Sequence, residues 1–347
     1  MAEKRDARYD VIKGLAIIIV CIEHIIQADT TDYMLTGIHS ILFAVQMPIF
    51  MIVSGYFYGG KEEKSACEAA RNILRKAISY LIPFFSHELI FRPVFLRQNG
   101  IDKIKTIVPN SIDSGLWFLW VLFVLGTELT IAIYFTKKSS GVRKTICATA
   151  IFGVFQIATL LAGLFVGMKF LAIKQILFYS LYFIFGYVYN RHLEPYLSKN
   201  IAIRDSVLLI CIIVGFGLSI NHSMISLGEG ICDIVIRFTA GICLSIGLVE
   251  FAKRYYKQLM KVKLDIIGKF TLEIYYIHGV AFSLLQTTSQ VTLYSSDGIV
   301  KIICSLFITI LYTTMLIAII KCSKVADLVF FGKLPRKKEN ILKTHMD

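Results

Sequence analysis

Apolar stretches of about 20 residues follow one another along almost the whole chain. A helix of that length covers the ~30 Å hydrocarbon core of a bilayer. Ten such stretches can be marked, at 11–28, 40–58, 77–96, 116–136, 145–167, 170–189, 205–221, 230–251, 266–288 and 298–320. Of 347 residues, 56% are hydrophobic and 18% charged, with a mean hydropathy of +0.67. A soluble domain of this size has no interior large enough to hide so much apolar surface. The chain therefore reads as an all-α polytopic membrane protein of about ten transmembrane helices, forming a single domain over residues 1–347. Eight spans remain open if 145–189 forms none of its own. The first stretch resembles a signal peptide, but its apolar part is long and no small-residue cleavage site follows. It is expected to stay as the first span.

The placement of charge orients the bundle. With the N-terminus inside, the inner loops and ends carry 27 Lys and Arg, whereas the outer loops carry Arg97, Lys103 and Lys105. Positive residues collect on the cytoplasmic side. Both termini are therefore expected in the cytoplasm, with a basic tail from about residue 321, and the protein in the inner (plasma) membrane. This asymmetry accounts for the net charge of +13 without a nucleic-acid partner. The eight cysteines form no CxxC pair and lie mostly inside apolar runs. They suit core positions, and no metal site is expected. No internal repeat of the kind found in transporters is visible.

Against this background Arg8 to Ile26, RYDVIKGLAIIIVCIEHII, stands out. Lys13 and His24 are eleven residues apart, which at ~100° per residue is three turns plus ~20°. A helix puts both on one face with a rise of ~16 Å. With Lys13 at the inner surface, His24 is expected near the midplane. An ionisable group inside a membrane span costs enough to point to function. The other intramembrane or near-membrane ionisables are Asp10, Glu23, His87, Glu88, Arg92, Glu128, Lys174, Asp233, Arg237, Glu250, Glu273 and His278. Many fall at helix ends, and Lys174, Glu250 and Glu273 are expected to reach out toward the interface.

Three further motifs suggest a site. The second span carries Met47-Pro48-Ile49-Phe50 and then Val53-Ser54-Gly55-Tyr56, where the proline frees a backbone carbonyl and Gly55 permits close helix approach. Arg71, Arg75 and Lys76 precede the third span on the cytoplasmic side, as anchors or as a groove for a phosphorylated cofactor. The fourth span opens with Leu116-Trp117-Phe118-Leu119-Trp120, which an interfacial aromatic belt also explains.

Taken in order, Lys13-x10-His24, MPIFMIVSGY, the basic run before SYLIPFF, LWFL and IGKFTLEIYYIHG resemble the acyltransferase-3 family of integral-membrane acyltransferases. The likeness covers essentially the whole chain and is nearest the short, fucose 4-O-acetylase-like members. It implies a ten-helix fold, cytosolic acyl-CoA (most often acetyl-CoA) as donor, and a hydroxyl of an envelope carbohydrate or lipid-linked glycan as acceptor. By position His24 matches the family's essential histidine and Lys13 its paired basic residue. Arg8 and Asp10 fit the opening of that helix, and Ser54, Tyr56, Trp117 and His278 fall in the other shared motifs. Many members carry Arg-x-x-Arg before the third span; this chain has Arg71-x-x-x-Arg75 followed by Lys76.

Acyl transfer to a hydroxyl needs a base, a held thioester and donors for the developing oxyanion. His24 is expected to act as the base, or to carry the acyl group itself. Lys13, with Arg8, Asp10, Arg75 and Lys76, is expected to hold the donor, and Ser54, Tyr56 or Trp117 to face the reacting carbonyl. Arg237 and His278 complete the expected supporting or substrate-binding set. The rival reading is a transporter or flippase for an envelope glycan or small polar solute, with His24, Arg92 and Arg237 along its path.

Overall fold

The computed structural model describes residues 6–63, 65–96, 116–221, 230–285 and 290–333, with Asp102 and Lys105. The outer loops 97–115, 222–229 and 286–289 fall largely or wholly outside these, as does the basic tail from 334 onward. Among the described residues the protein is helical, with one isolated bridge between Thr30 and Val291. The α-helices are α1 Ala7–Asp29, α2 Gly37–Tyr56, α3 Ala66–Lys76, α4 Ile82–Ser86, α5 Arg92–Leu96, α6 Trp117–Phe135, α7 Gly141–Val166, α8 Ile173–Val188, α9 Glu194–Lys199, α10 Ile201–Asn221, α11 Ile231–Lys261, α12 Leu264–Lys269, α13 Thr271–Leu285, α14 Ser296–Lys321 and α15 Lys324–Phe331. Eight of the described helical stretches are long and apolar enough to cross a membrane. The other two expected spans are helical but broken: 77–96 is divided between α4, α5 and wider turns, and 266–288 between α12 and α13.

Proline explains the breaks. π-helical turns occupy Ala77–Leu81, His87–Phe91 and Tyr189–Leu193, and Pro83, Pro93 and Pro195 each follow two residues after one of them. A proline ring has no N–H and collides with the carbonyl four residues back, and a locally widened turn relieves both problems. Each wide turn also directs polar side chains inward, with His87 and Glu88 on the second and Tyr189 just before Glu194 on the third.

Helix α1 is central, touching α2, α11, α12, α13 and α14. It is capped by Asp6, whose carboxylate accepts from the Arg8 amide at 2.9 Å. The Arg8 guanidinium bonds the same carboxyl and lowers its pKa. The faces of α7, α10 and α14 are largely exposed, apolar and suited to lipid. Backbone contacts set the tightest crossings. Gly55 of α2 lies on the Phe183 carbonyl of α8, and Gly186 of α8 lies on the Ile52 carbonyl of α2. Small residues bring transmembrane backbones this close. The glycine of the Ser54-Gly55-Tyr56 motif is thus a packing requirement.

Glu250 and Glu273 depart from the expected outward reach. The Glu250 carboxylate accepts from the Tyr189 hydroxyl at 2.5 Å and from Lys253 at 3.2 Å. Glu273 is buried between Lys321, at 3.2 Å, and Lys333. Cations from neighbouring elements reach both carboxylates, so neither has to extend to water for solvation.

Candidate active site

The site begins with two helices that run side by side in the same direction. Gly14 of α1 faces the Leu264 carbonyl, and Gly268 of α12 lies on the Asp10 carbonyl, so the two backbones nearly touch. Ten residues further along each strand of this pair stand His24 and His278. Equal rise per residue brings them to one level. Their rings stack with centroids 5.3 Å apart and planes 19° from parallel. The spacing Gly268 to His278 therefore matches Gly14 to His24, and α13 supplies the second imidazole at the height where α1 supplies the first.

His278 is buried, and its Nδ1 lies 2.8 Å from the Tyr275 carbonyl and 3.1 Å from that of Ile274. A carbonyl can only accept, so Nδ1 of the neutral ring carries the hydrogen and Nε2 keeps the lone pair. The His24 side chain is 33% accessible and faces α13. Its level corrects the midplane expectation. His24 is five residues from the end of α1 and Lys13 six from its start, so the imidazole lies in the outer half of that helix. The helix begins earlier than hydropathy alone indicates, because Asp6 caps it.

Other ionisable groups gather at this level. Glu23 Oε2 lies 2.9 Å from His24 Nδ1, and Glu23 Oε1 lies 3.9 Å from Nε2 of His39 in the first turns of α2. His87 contacts Glu88 at 3.0 Å and meets the Tyr276 ring edge-on at 5.0 Å; Arg92 approaches Glu88 at 3.4 Å. Sequence reasoning flagged Glu23, His87, Glu88 and Arg92 as costly intramembrane groups but gave them no place in the site. It passed over His39, which reads as a loop-end residue until α2 folds back against α1. The prolines at 83 and 93 are the signal that could have drawn attention to His87 and Glu88.

The cytoplasmic end of α1 holds a second cluster. Arg8, Glu194, Leu197, Ser198, Arg204, Glu250, Lys253 and Arg254 line a cavity of about 190 Å³. Lys253 reaches Glu194 at 2.5 Å and lies over the rings of Tyr9, Tyr56 and Tyr189. Lys13 pairs with buried Asp10 at 3.0 Å and sits 5.7 Å above the Phe57 ring, which in turn meets Tyr9 and Tyr56. Arg8, Asp10, Lys13 and Tyr56 are thereby joined at one end.

Three expected site residues lie elsewhere. Tyr56 was expected at the reacting carbonyl, but its hydroxyl donates to Glu194 at the opposite end from His24. Helix α2 runs antiparallel to α1, so its last residue returns to where α1 begins. Lys76 turns into the bundle, bonding Thr130 at 2.9 Å and the Gly126 carbonyl at 3.3 Å, with the Tyr58 ring 3.7 Å away. Burial pushes its pKa down to about 7, and it is not held out toward a phosphate. Arg75 beside it is exposed, so Arg75 and Lys76 do not share one groove with Arg8 and Lys13. Arg237 is buried on α11 and lines a cavity of about 20 Å³ with Ala44, Pro48, Tyr179 and Tyr182. Trp117 packs on Tyr179 at 5.0 Å, and Ser54 is half-buried on α2. These three support the second span where Pro48 disturbs it and are not in the His24 cluster.

Among the described residues no group of His, Cys, Asp and Glu has the arrangement to hold a metal ion. Residues 6–318 match the family model of the acyltransferase domain of the acyltransferase-3 type. The curated proteins similar to the chain include nodulation protein NolL of Sinorhizobium fredii, 27% identical over 161 residues, covering 43% of this chain and 42% of that protein. Nodulation protein NolL of Mesorhizobium japonicum is 26% identical over 167 residues, covering 45% and 43%. The chain thus spans less than half the length of the curated relatives it matches. No solved structure matches it. With the family match running from the cap of α1 almost to the end of α14, the protein belongs to the acyltransferase-3 family of membrane acyltransferases.

Proposed function

We propose that this protein transfers an acyl group, acetyl in the simplest case, from cytosolic acyl-CoA to a hydroxyl of an envelope carbohydrate or lipid-linked glycan. It acts in the inner (plasma) membrane with both termini in the cytoplasm. The observation that carries the reading is the His24–His278 stack, set on a helix whose cytoplasmic end bears Lys13 and Arg8. In this reading the phosphates of the donor rest near Arg8 and Lys13, and the pantetheine arm follows α1 for the ~16 Å to His24. His24 takes the proton of the acceptor hydroxyl, whose oxygen attacks the thioester carbonyl. The carbon–sulfur bond breaks, and the imidazolium returns the proton to the departing thiolate. The other route passes the acyl group through an imidazole nitrogen of His24 before the hydroxyl takes it.

Mass spectrometry of envelope glycans from cells with and without the protein tests the reaction. Loss of one acetyl unit from a defined glycan supports it, and identical glycan masses overturn it. Lys13→Ala is expected to weaken coenzyme A binding about tenfold, the size of one charge-assisted contact. Calorimetry on purified protein measures it, and unchanged affinity removes Lys13 from the donor site.

A further inference from the structure

The carboxylate of Glu23 is 2% exposed, yet it is held within the bundle between two histidines. On one side Oε2 stands 2.9 Å from Nδ1 of His24; on the other Oε1 stands 3.9 Å from Nε2 of His39. The Tyr33 ring packs edge-on against His39 at 4.8 Å and closes the group toward the outer end. A buried carboxylate is expensive unless it has partners. Glu23 has no reach to water, and no Lys or Arg is paired with it among the described ion pairs.

A ring nitrogen lone pair and a carboxylate oxygen repel each other at 2.9 Å unless a proton lies between them. Since His24 must keep one nitrogen free to act as base or acyl carrier, the proton belongs on Nδ1 and the free lone pair on Nε2. We infer that Glu23 is a positioning residue for His24, fixing the Nδ1–H tautomer so that Nε2 presents its lone pair to the reactants. His278 reaches the same tautomer by a different device, its Nδ1–H donating to backbone carbonyls. The stacked pair thus offers two Nε2 atoms. Carboxylate support has a further consequence for His24 alone: the negative charge stabilises the imidazolium formed on proton transfer, which a backbone carbonyl does less well. The stack is therefore asymmetric, with His24 the stronger base. His39, in the first turn of α2 where the free N–H groups favour a negative charge, holds the other oxygen and stops the carboxylate from rotating away.

This inference rests on the proposed chemistry for its purpose but not for its measurement. Protein labelled with ¹⁵N-histidine is placed in lipid bilayers at pH 8, where an ordinary imidazole is neutral. Solid-state NMR then reads which nitrogen of His24 carries hydrogen, the signal being assigned by its loss in His24→Gln. Protonated Nδ1 is expected, and an Nε2–H tautomer in the wild-type protein overturns the proposal without any Glu23 variant. Glu23→Leu is expected to release the ring to a mixture of tautomers. With glycan acylation as readout, it should lower kcat about 100-fold while leaving the KM for acetyl-CoA within twofold. Glu23→Gln, whose amide oxygen still accepts from Nδ1–H, is expected to recover part of the loss. A tautomer unchanged in both variants, or a rise in KM with kcat preserved, overturns the role. Should the protein transfer no acyl group at all, the nitrogen spectrum still decides whether Glu23 orients the ring.

Discussion

His24→Ala is expected to lower acyl transfer by about 10²–10⁴-fold, the range that a positioned general acid–base contributes. The reason is geometric as much as chemical. His24 lies beside His278 on a helix paired with α12 and α13, and a third of its side chain remains accessible to a reactant. Removing the ring deletes the proton acceptor but leaves the Gly14–Leu264 and Gly268–Asp10 contacts that hold the helices. Expression, membrane insertion and the melting temperature in detergent should therefore stay near wild type. Activity is measured as free coenzyme A released, together with glycan mass. A variant keeping more than a tenth of the wild-type rate would take His24 out of the mechanism. Coenzyme A binding by calorimetry should be unchanged, because the cations at the cytoplasmic end are untouched.

Gly268→Ala carries the second large effect, on folding. A single Cβ at 268 meets the Asp10 carbonyl, and the neighbouring backbone at Gly14 leaves it nowhere to go. Backbone cannot yield as a flexible side-chain tip does, so α1 and α12 must separate. Overpacking of this kind costs about 3 kcal/mol or more. It also moves His278 away from His24, since the two rings depend on equal rise from this crossing. The expected outcome is loss of the monodisperse peak in detergent chromatography, or a large fall in melting temperature with activity lost. Gly153→Ala in α7 is the control: its Cβ meets nothing within 4 Å, and Ala in place of Gly favours a helix by up to ~1 kcal/mol. If Gly268→Ala melts like Gly153→Ala, the close crossing is not what holds the two histidines together.

The contrast between these two substitutions also separates what can be read from sequence from what cannot. The Lys13–His24 pair was legible because both residues are on one helix, where the angle between side chains follows from counting. The apolar stretches were legible for a related reason: hydrocarbon thickness converts directly into residue number. Gly268 was visible only as part of a motif, because its role is the nearness of another backbone. Tyr56 was misplaced at the reacting carbonyl for want of one fact, that α2 returns antiparallel and puts its end beside Tyr9. Lys76 was read as an outward phosphate ligand, although its helix turns it onto Thr130 and the Tyr58 ring.

By itself, then, the sequence determined the class of fold, the membrane as solvent, the number of apolar segments and the single face shared by Lys13 and His24. All of these follow from local counting along one helix or from composition. Only the tertiary structure decided that His278 stands against His24, that Glu23 lies between His24 and His39, and that Arg8, Tyr9, Tyr56, Glu194 and Lys253 form one cluster. Those pairings join segments up to 254 residues apart in the chain. Their register is set by where glycine lets two backbones meet and where proline widens a turn, and neither distance is written in the spacing of any one helix.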